Sequence, residues 1–234
     1  MTDNQDPKEP SSGDVSRRDS VTLSLAAGLA LAAGTASGAE LPVVETNVEV
    51  KTPDGMCDAA FIHPTTGAHP AIVIWPDAFG LRPSMRDMGK RIAAEGYSVL
   101  VPNPFYRVAK APVFDDPSKF NFGNPADMAK LQPLMASINA PGAAERDAAA
   151  FVAFLDGQRQ VDRAKKIGTQ GYCMGGPLVM KTAAAVPNRI GAGASFHGGG
   201  LVTDQPGSPH LLAPKIKARM YFGVASNDDM RQPD

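Results

Sequence analysis

The stretch Lys166-Ile167-Gly168-Thr169-Gln170-Gly171-Tyr172-Cys173-Met174-Gly175-Gly176-Pro177 decides the reading of this chain. Lys166 to Gln170 reads as a buried strand, and Gly175 to Val186 as a helix whose first turn accommodates Pro177. Between them stands G-x-C-x-G, the pattern of a nucleophile elbow with cysteine in the place of serine. So sharp a turn strains the backbone at Cys173, and small neighbours let strand and helix approach each other. The sulfur then lies at a helix N-terminus, where the dipole and free amides favour a thiolate. Cys173 is therefore the candidate nucleophile.

Working outward, Val43 to Lys51 and Cys57 to His63 read as two strands of a hairpin around Pro53-Asp54-Gly55. Cys57 is expected there as a small apolar residue. Continuous apolar strands then alternate with helices: strand Ala71 to Trp75, helix Pro83 to Glu95 ended by Gly96, and strand Tyr97 to Val101. A helix from Gly142 to Leu155, the decisive stretch, and strands Gly191 to Phe196 and Ala218 to Val224 follow. Phe105 to Ala140 shows no clean period and reads as a loop-and-helix excursion over the sheet. This alternation predicts a doubly wound α/β domain, mostly parallel, with an antiparallel N-terminal β-hairpin at its edge.

The domain is expected to span residues 40–234 of the 234-residue chain. Residues 1–39 are different: a polar start, Ser16-Arg17-Arg18-Asp19, a weakly apolar run from Val21 to Ala33, and Ala36-Ser37-Gly38-Ala39. That order is a secretory signal, and its paired arginines resemble a twin-arginine signal. An apolar run of about 13 residues falls short of the roughly 20 a spanning helix needs. The expectation is export through the twin-arginine machinery to the periplasm or beyond, with no stable membrane association after cleavage; retention as an uncleaved anchor is the alternative. A net charge of −1 and the lack of any basic run argue against nucleic acid as a partner. Two cysteines make no disulfide framework.

Gly171 to Gly176 resembles the nucleophile motif of the dienelactone hydrolase family. Asp77-Ala78-Phe79-Gly80, Pro102-Asn103-Pro104-Phe105-Tyr106-Arg107 and Ser195-Phe196-His197-Gly198-Gly199 support the resemblance, which covers most of the chain after the signal. It implies an α/β-hydrolase fold and cleavage of a small ester or lactone, in the carboxymethylenebutenolidase class, with no metal or organic cofactor. It further implies that Asp77 contacts the resting nucleophile, unless it is a turn or helix cap, and that the amides of Ala78 and Met174 form an oxyanion hole. Arg107 would hold a substrate carboxylate, unless it is a solvated loop residue. Asp228 would be the triad acid, with Asp229 as fallback. His197 would line the substrate pocket or serve structure.

The family's base is a histidine after the acid, whereas His63, His69, His197 and His210 all precede Asp228. The resemblance therefore expects a C-terminal part with its histidine about 25 to 40 residues beyond Asp228. His210 reads as surface loop. Two other readings compete with an ester hydrolase: an exported, non-catalytic binding protein of the same fold, and a thiol redox protein, which the lack of a C-x-x-C pair disfavours.

Overall fold

The computed structural model describes residues 40–226 and residue 228. The signal-like segment and Asp229 lie outside the described residues. β1 (Val43–Thr52) and β2 (Gly55–Pro64) form the expected hairpin, paired from Val43 with Pro64 to Thr52 with Gly55. β3 (Ala71–Trp75), α1 (Pro83–Ala94) and β4 (Ser98–Pro102) follow. Then come α2 (Pro125–Asn139), α3 (Ala143–Gly157), β5 (Ile167–Tyr172), α4 (Gly175–Ala185), β6 (Ile190–Phe196) and β7 (Arg219–Gly223).

The strands form one sheet in the order β1-β2-β4-β3-β5-β6-β7. β2 runs antiparallel to both β1 and β4, and the remaining pairs are parallel. Period-two alternation in β2 sends Ala59 and Phe61 to one face and Ala60 and Ile62 to the other. α3 and α4 cover the first face, where Phe151, Leu155, Leu178 and Val179 pack with Val73, Trp75 and Ile167. α1 covers the second, packing Met85 and Ala93 with Ile62, Ile74, Val99 and Val101. The indole N–H of Trp75 donates to Thr182 Oγ1 at 2.9 Å, tying β3 to α4 through the core.

The winding places the site. From β3 the chain moves outward to β4, then returns to build β5 on the other side of β3, so the connections diverge between β3 and β5. In open α/β sheets ligands bind at that switch point, beyond the strands' C-terminal ends. Trp75, the last residue of β3, is in register with Gly171 of β5, so the segments Pro76–Arg82 and Tyr172–Gly175 emerge side by side.

The excursion after β4 is more ordered than its composition indicates. A 15-residue helix, α2, starts at Pro125, and the Asn124 side chain caps it by accepting the Ala126 amide at 2.9 Å. It buries only Leu131, Leu134 and Ile138 and carries Pro133 in its interior, so its apolar stripe is too thin to show in the sequence. No helix among the described residues is long and apolar enough to cross a membrane.

Candidate active site

Cys173 sits between β5 and α4 with φ of 51°, in the left-handed region that non-glycine residues avoid. Its N–H donates to Phe196 O at 2.9 Å, and its carbonyl accepts the Gly176 N–H at 3.0 Å, pinning the turn to β6 on one side and α4 on the other. The crowding explains the flanking glycines. A Cβ on Gly171 would stand 2.1 Å from the Gly175 carbonyl oxygen, and one on Gly175 would stand 2.4 Å from that of Trp75.

Burial pushes the Cys173 thiol above its ordinary pKa; the Met174 amide opposes this, and the negative charges of Asp77 and Asp228 add to it. Desolvation thus works against the thiolate that the helix N-terminus favours. A raised pKa delays ionisation, so the thiolate accumulates only at higher pH than in free cysteine. Alkylation of Cys173 by iodoacetamide, followed by peptide mass mapping, should keep climbing with pH after free cysteine has levelled off. A plateau at or below the pH of free cysteine contradicts this. Cys57 will not confuse the assay: it is fully buried and unpaired with Cys173.

The loop leaving β3 supplies the facing wall. Asp77 accepts the Phe79 amide at 3.0 Å and a bidentate pair from Arg82 at 2.7 and 2.8 Å. Its carboxylate thus organises the turn, as the turn-residue alternative expected, and reaches Cys173 only through its field. Arg82 is a residue that the sequence reading missed. The Ala78 amide donates to no acceptor among the described residues, and Ala78 packs in the same core cluster as Met174. An amide at the nucleophile and an uncommitted one in the neighbouring loop are the kind of donor an oxyanion needs. Phe79 is gripped by Phe114, Phe120 and Phe122 of the excursion, with ring centroids 5.6, 5.4 and 5.9 Å away.

At the end of β6, His197 also has a positive φ, 53°, and its N–H donates to Gly223 O at 2.8 Å. Its ring Nδ1 lies 2.9 Å from Asp228 Oδ2, and the same carboxylate accepts the Ala225 amide at 2.9 Å. His197 directly follows Phe196, whose carbonyl holds the Cys173 amide. Cys173, Asp77, Ala78, Met174, His197 and Asp228 are thus brought to one end of the sheet.

Arg107 is not brought there in a usable form, which corrects its expected role. Its guanidinium donates to Asp147 at 2.9 and 2.6 Å and to Asp54 at 3.1 and 2.7 Å, and it stacks on Tyr106 at 4.5 Å. Asp147 is fully buried and Tyr106 donates to it at 2.7 Å, so Arg107 neutralises a charge that would otherwise be stranded in the core. Its donors are spent tying the hairpin turn to α3.

The other histidines are occupied elsewhere: the ring of His63 lies 2.7 Å from Pro64 O, His69 2.8 Å from Thr66 O, and His210 2.7 Å from Ser208 Oγ. Among the described residues no group of three or more His, Cys, Asp or Glu side chains could hold a metal ion.

Comparison with known proteins bears on this geometry. The model of the Dienelactone hydrolase family matches residues 57–234. A protein from Methylorubrum extorquens is 29% identical over 241 residues, 93% of this chain and 77% of its own length. The carboxymethylenebutenolidase of Rhodococcus opacus is 32% identical over 127 residues, covering 54% of this chain and 43% of that protein. Among solved structures, a dienelactone hydrolase-like promiscuous phosphotriesterase from metagenomic libraries superposes with a TM-score of 0.62 at 23% identity, over 81% of this chain and 70% of the other; that likeness concerns the fold.

Proposed function

Because the chain belongs to the dienelactone hydrolase family, we propose that it hydrolyses a small ester or lactone with Cys173 as nucleophile. The observation that carries this reading is the strained left-handed backbone at Cys173, at the strand end next to the loop that carries the uncommitted Ala78 amide. Strain of this kind costs about 1–3 kcal/mol and is kept where surrounding structure enforces it, typically at functional sites.

The sulfur attacks the ester carbonyl, and the carbonyl oxygen takes up the electron pair and is held by the Ala78 and Met174 amides. The alkoxide then leaves with a proton from the base, giving a thioester on Cys173. Water, deprotonated by the same base, cleaves the thioester and returns the thiol. Burial disfavours the free thiolate, so the base takes the Cys173 proton as the sulfur attacks and passes that proton to the leaving alkoxide.

Asp228 is the acid that orients the imidazole. The family order places the base after the acid, while within this sequence the imidazole that Asp228 holds is that of His197. His197→Gln separates the two possibilities. Removing a general base costs about 10²- to 10⁴-fold. We expect kcat/KM within about threefold of wild type, which excludes His197 as the base. A loss of 10²-fold or more assigns it to His197.

The overall proposal is tested by turnover of a chromogenic ester and by mass spectrometry of an acyl adduct on Cys173 in stopped reactions. Turnover without that adduct, in a Cys173→Ala protein as well, removes Cys173 from the mechanism. Ligand binding without any turnover supports the non-catalytic binding protein instead. Export through the twin-arginine machinery is part of the same proposal, supported by Ser16-Arg17-Arg18-Asp19 and the apolar run after it. Changing Arg17 and Arg18 to lysine should hold the protein in the cytoplasm, and unchanged export contradicts it.

A further inference from the structure

The end of the sheet opposite Cys173 carries a charge pattern that the net charge of −1 conceals. The parallel strands β5, β6 and β7 all begin there, and basic side chains accompany each. Arg163, Lys165 and Lys166 lead into β5, Arg189 leads into β6, and Lys217 leads into β7, which opens on Arg219. Hydrogen bonds tie the three entrances together. Lys166 Nζ donates to Asn188 O and Lys217 Nζ to Asn188 Oδ1, while the Arg189 guanidinium donates to Lys165 O at 2.8 Å.

Acidic side chains at these entrances are already engaged. Asp156 is paired with Arg189 at 2.7 Å, and Asp162 accepts the Ala164 amide within its own turn. The side chains of Arg163, Lys165 and Arg219 make no hydrogen bond or ion pair with any described residue, and those of Lys166 and Lys217 meet only a neutral asparagine. All five are exposed. Like charges gathered on one face without counter-charges set up a positive potential there, which attracts an anion from outside.

The form of this face selects among anionic partners. A protein interface needs a packed apolar centre with fixed contacts, and lysine is depleted in such interfaces. A nucleic-acid duplex is read by an element that enters a groove, whereas here the strands begin and helices α3 and α4 finish. A layer of anionic head groups demands neither, and its diffuse negative potential suits long side chains that nothing holds in place. We propose that this end of the sheet adsorbs the protein, weakly and reversibly, to a bilayer surface rich in anionic phospholipid. Cys173 lies at the other ends of these strands, so the adsorbed protein keeps its elbow turned to solvent. The proposal goes beyond ester hydrolysis and does not depend on it.

The test sediments the full-length protein with vesicles of phosphatidylglycerol and phosphatidylcholine in equal parts, and with vesicles of phosphatidylcholine alone. Wild type should partition onto the anionic vesicles only, and added salt should release it. Lys165→Gln and Lys217→Gln should each weaken that partitioning about fivefold, and the two combined with Lys166→Gln about 100-fold. Lys119→Gln, on the excursion, should leave it unchanged. Residues 1–39 are common to every variant, so their own contribution cancels, and thermal melts verify that the variants fold. Iodoacetamide should alkylate Cys173 equally fast with and without anionic vesicles. Partitioning that survives the triple change overturns the proposal, as does protection of Cys173 on the vesicles. Tighter binding to a duplex DNA fragment than to the anionic vesicles, lost in the same variants, overturns the choice of partner.

Discussion

Cys173→Ala folds as the wild type does and hydrolyses esters about 10⁴-fold or more slowly, the scale seen when a nucleophile is removed from a set of groups that act as one unit. The fold survives because the positive φ at this position is imposed by the bonds of Cys173 to Phe196 and Gly176, which involve main chain alone. Alanine meets the same strain as cysteine there. Glycine does not, so Cys173→Gly should be equally inactive yet more stable, by about 1 kcal/mol, than either. Cys173→Ser should remain at least about 10²-fold below wild type, since burial that already raises a thiol pKa penalises the ionisation of a hydroxyl more heavily. Thermal melts and turnover of a chromogenic ester, measured together, check the series. Wild-type turnover in Cys173→Ala removes the nucleophile from the mechanism.

Gly175→Ala is expected to have a large effect on stability. The added methyl group would lie 2.4 Å from the Trp75 carbonyl oxygen and 2.9 Å from that of Pro76. Both are main-chain atoms where the chain leaves the central strand β3, and Trp75 is itself fixed by its indole bond to Thr182 and by the ring of Phe151 at 5.5 Å. Nothing at the contact is a flexible side-chain end, so α4 must back away from β3. Overpacking in cores costs about 1–3 kcal/mol and occasionally more, and a contact with rigid backbone belongs at the upper end. A loss of about 3 kcal/mol lowers Tm by roughly 6–12 °C at this chain length. Activity should fall with it, because the same movement carries Cys173 away from the Ala78 amide. A Tm within about 2 °C of wild type contradicts the tight junction.

The sheet was legible in the sequence where burial is two-sided. β4 is buried at every position, and such a run is recognisable without help from its neighbours. α2 showed no clean period within the expected loop-and-helix excursion because Leu131, Leu134 and Ile138 are its only fully buried residues, and a proline sits among them. The site was legible at Cys173 because the elbow's glycines answer a local steric demand. Arg107 was placed by resemblance alone, and the structure uses it otherwise. A sequence signal for that use exists: Asp147 lies on the stripe of α3 that buries Ala143, Ala144, Ala148, Phe151 and Leu155. A lone acid on an apolar stripe demands a cation from elsewhere, but which cation is a question of tertiary distance. The same limit hid Arg82 as the partner of Asp77, and the gathering of cations where β5, β6 and β7 begin. His197 was expected at the pocket rim, and its link to Asp228, thirty-one residues away, depends on β6 and β7 lying side by side.

The ring of Phe79 is held by three phenylalanines that belong to the excursion, and Phe79 directly follows Ala78, whose amide is the proposed oxyanion donor. Under the proposed mechanism, the packing of the excursion and the rate of the chemical step are therefore not independent traits. A substitution at Phe114, Phe120 or Phe122 that loosens this cluster should also loosen the amide proposed to hold the oxyanion. Variants selected for breadth through these positions should pay in turnover, and recovering speed should require second changes near Phe79. Divergence of the excursion is thereby confined to paths that keep its aromatic grip.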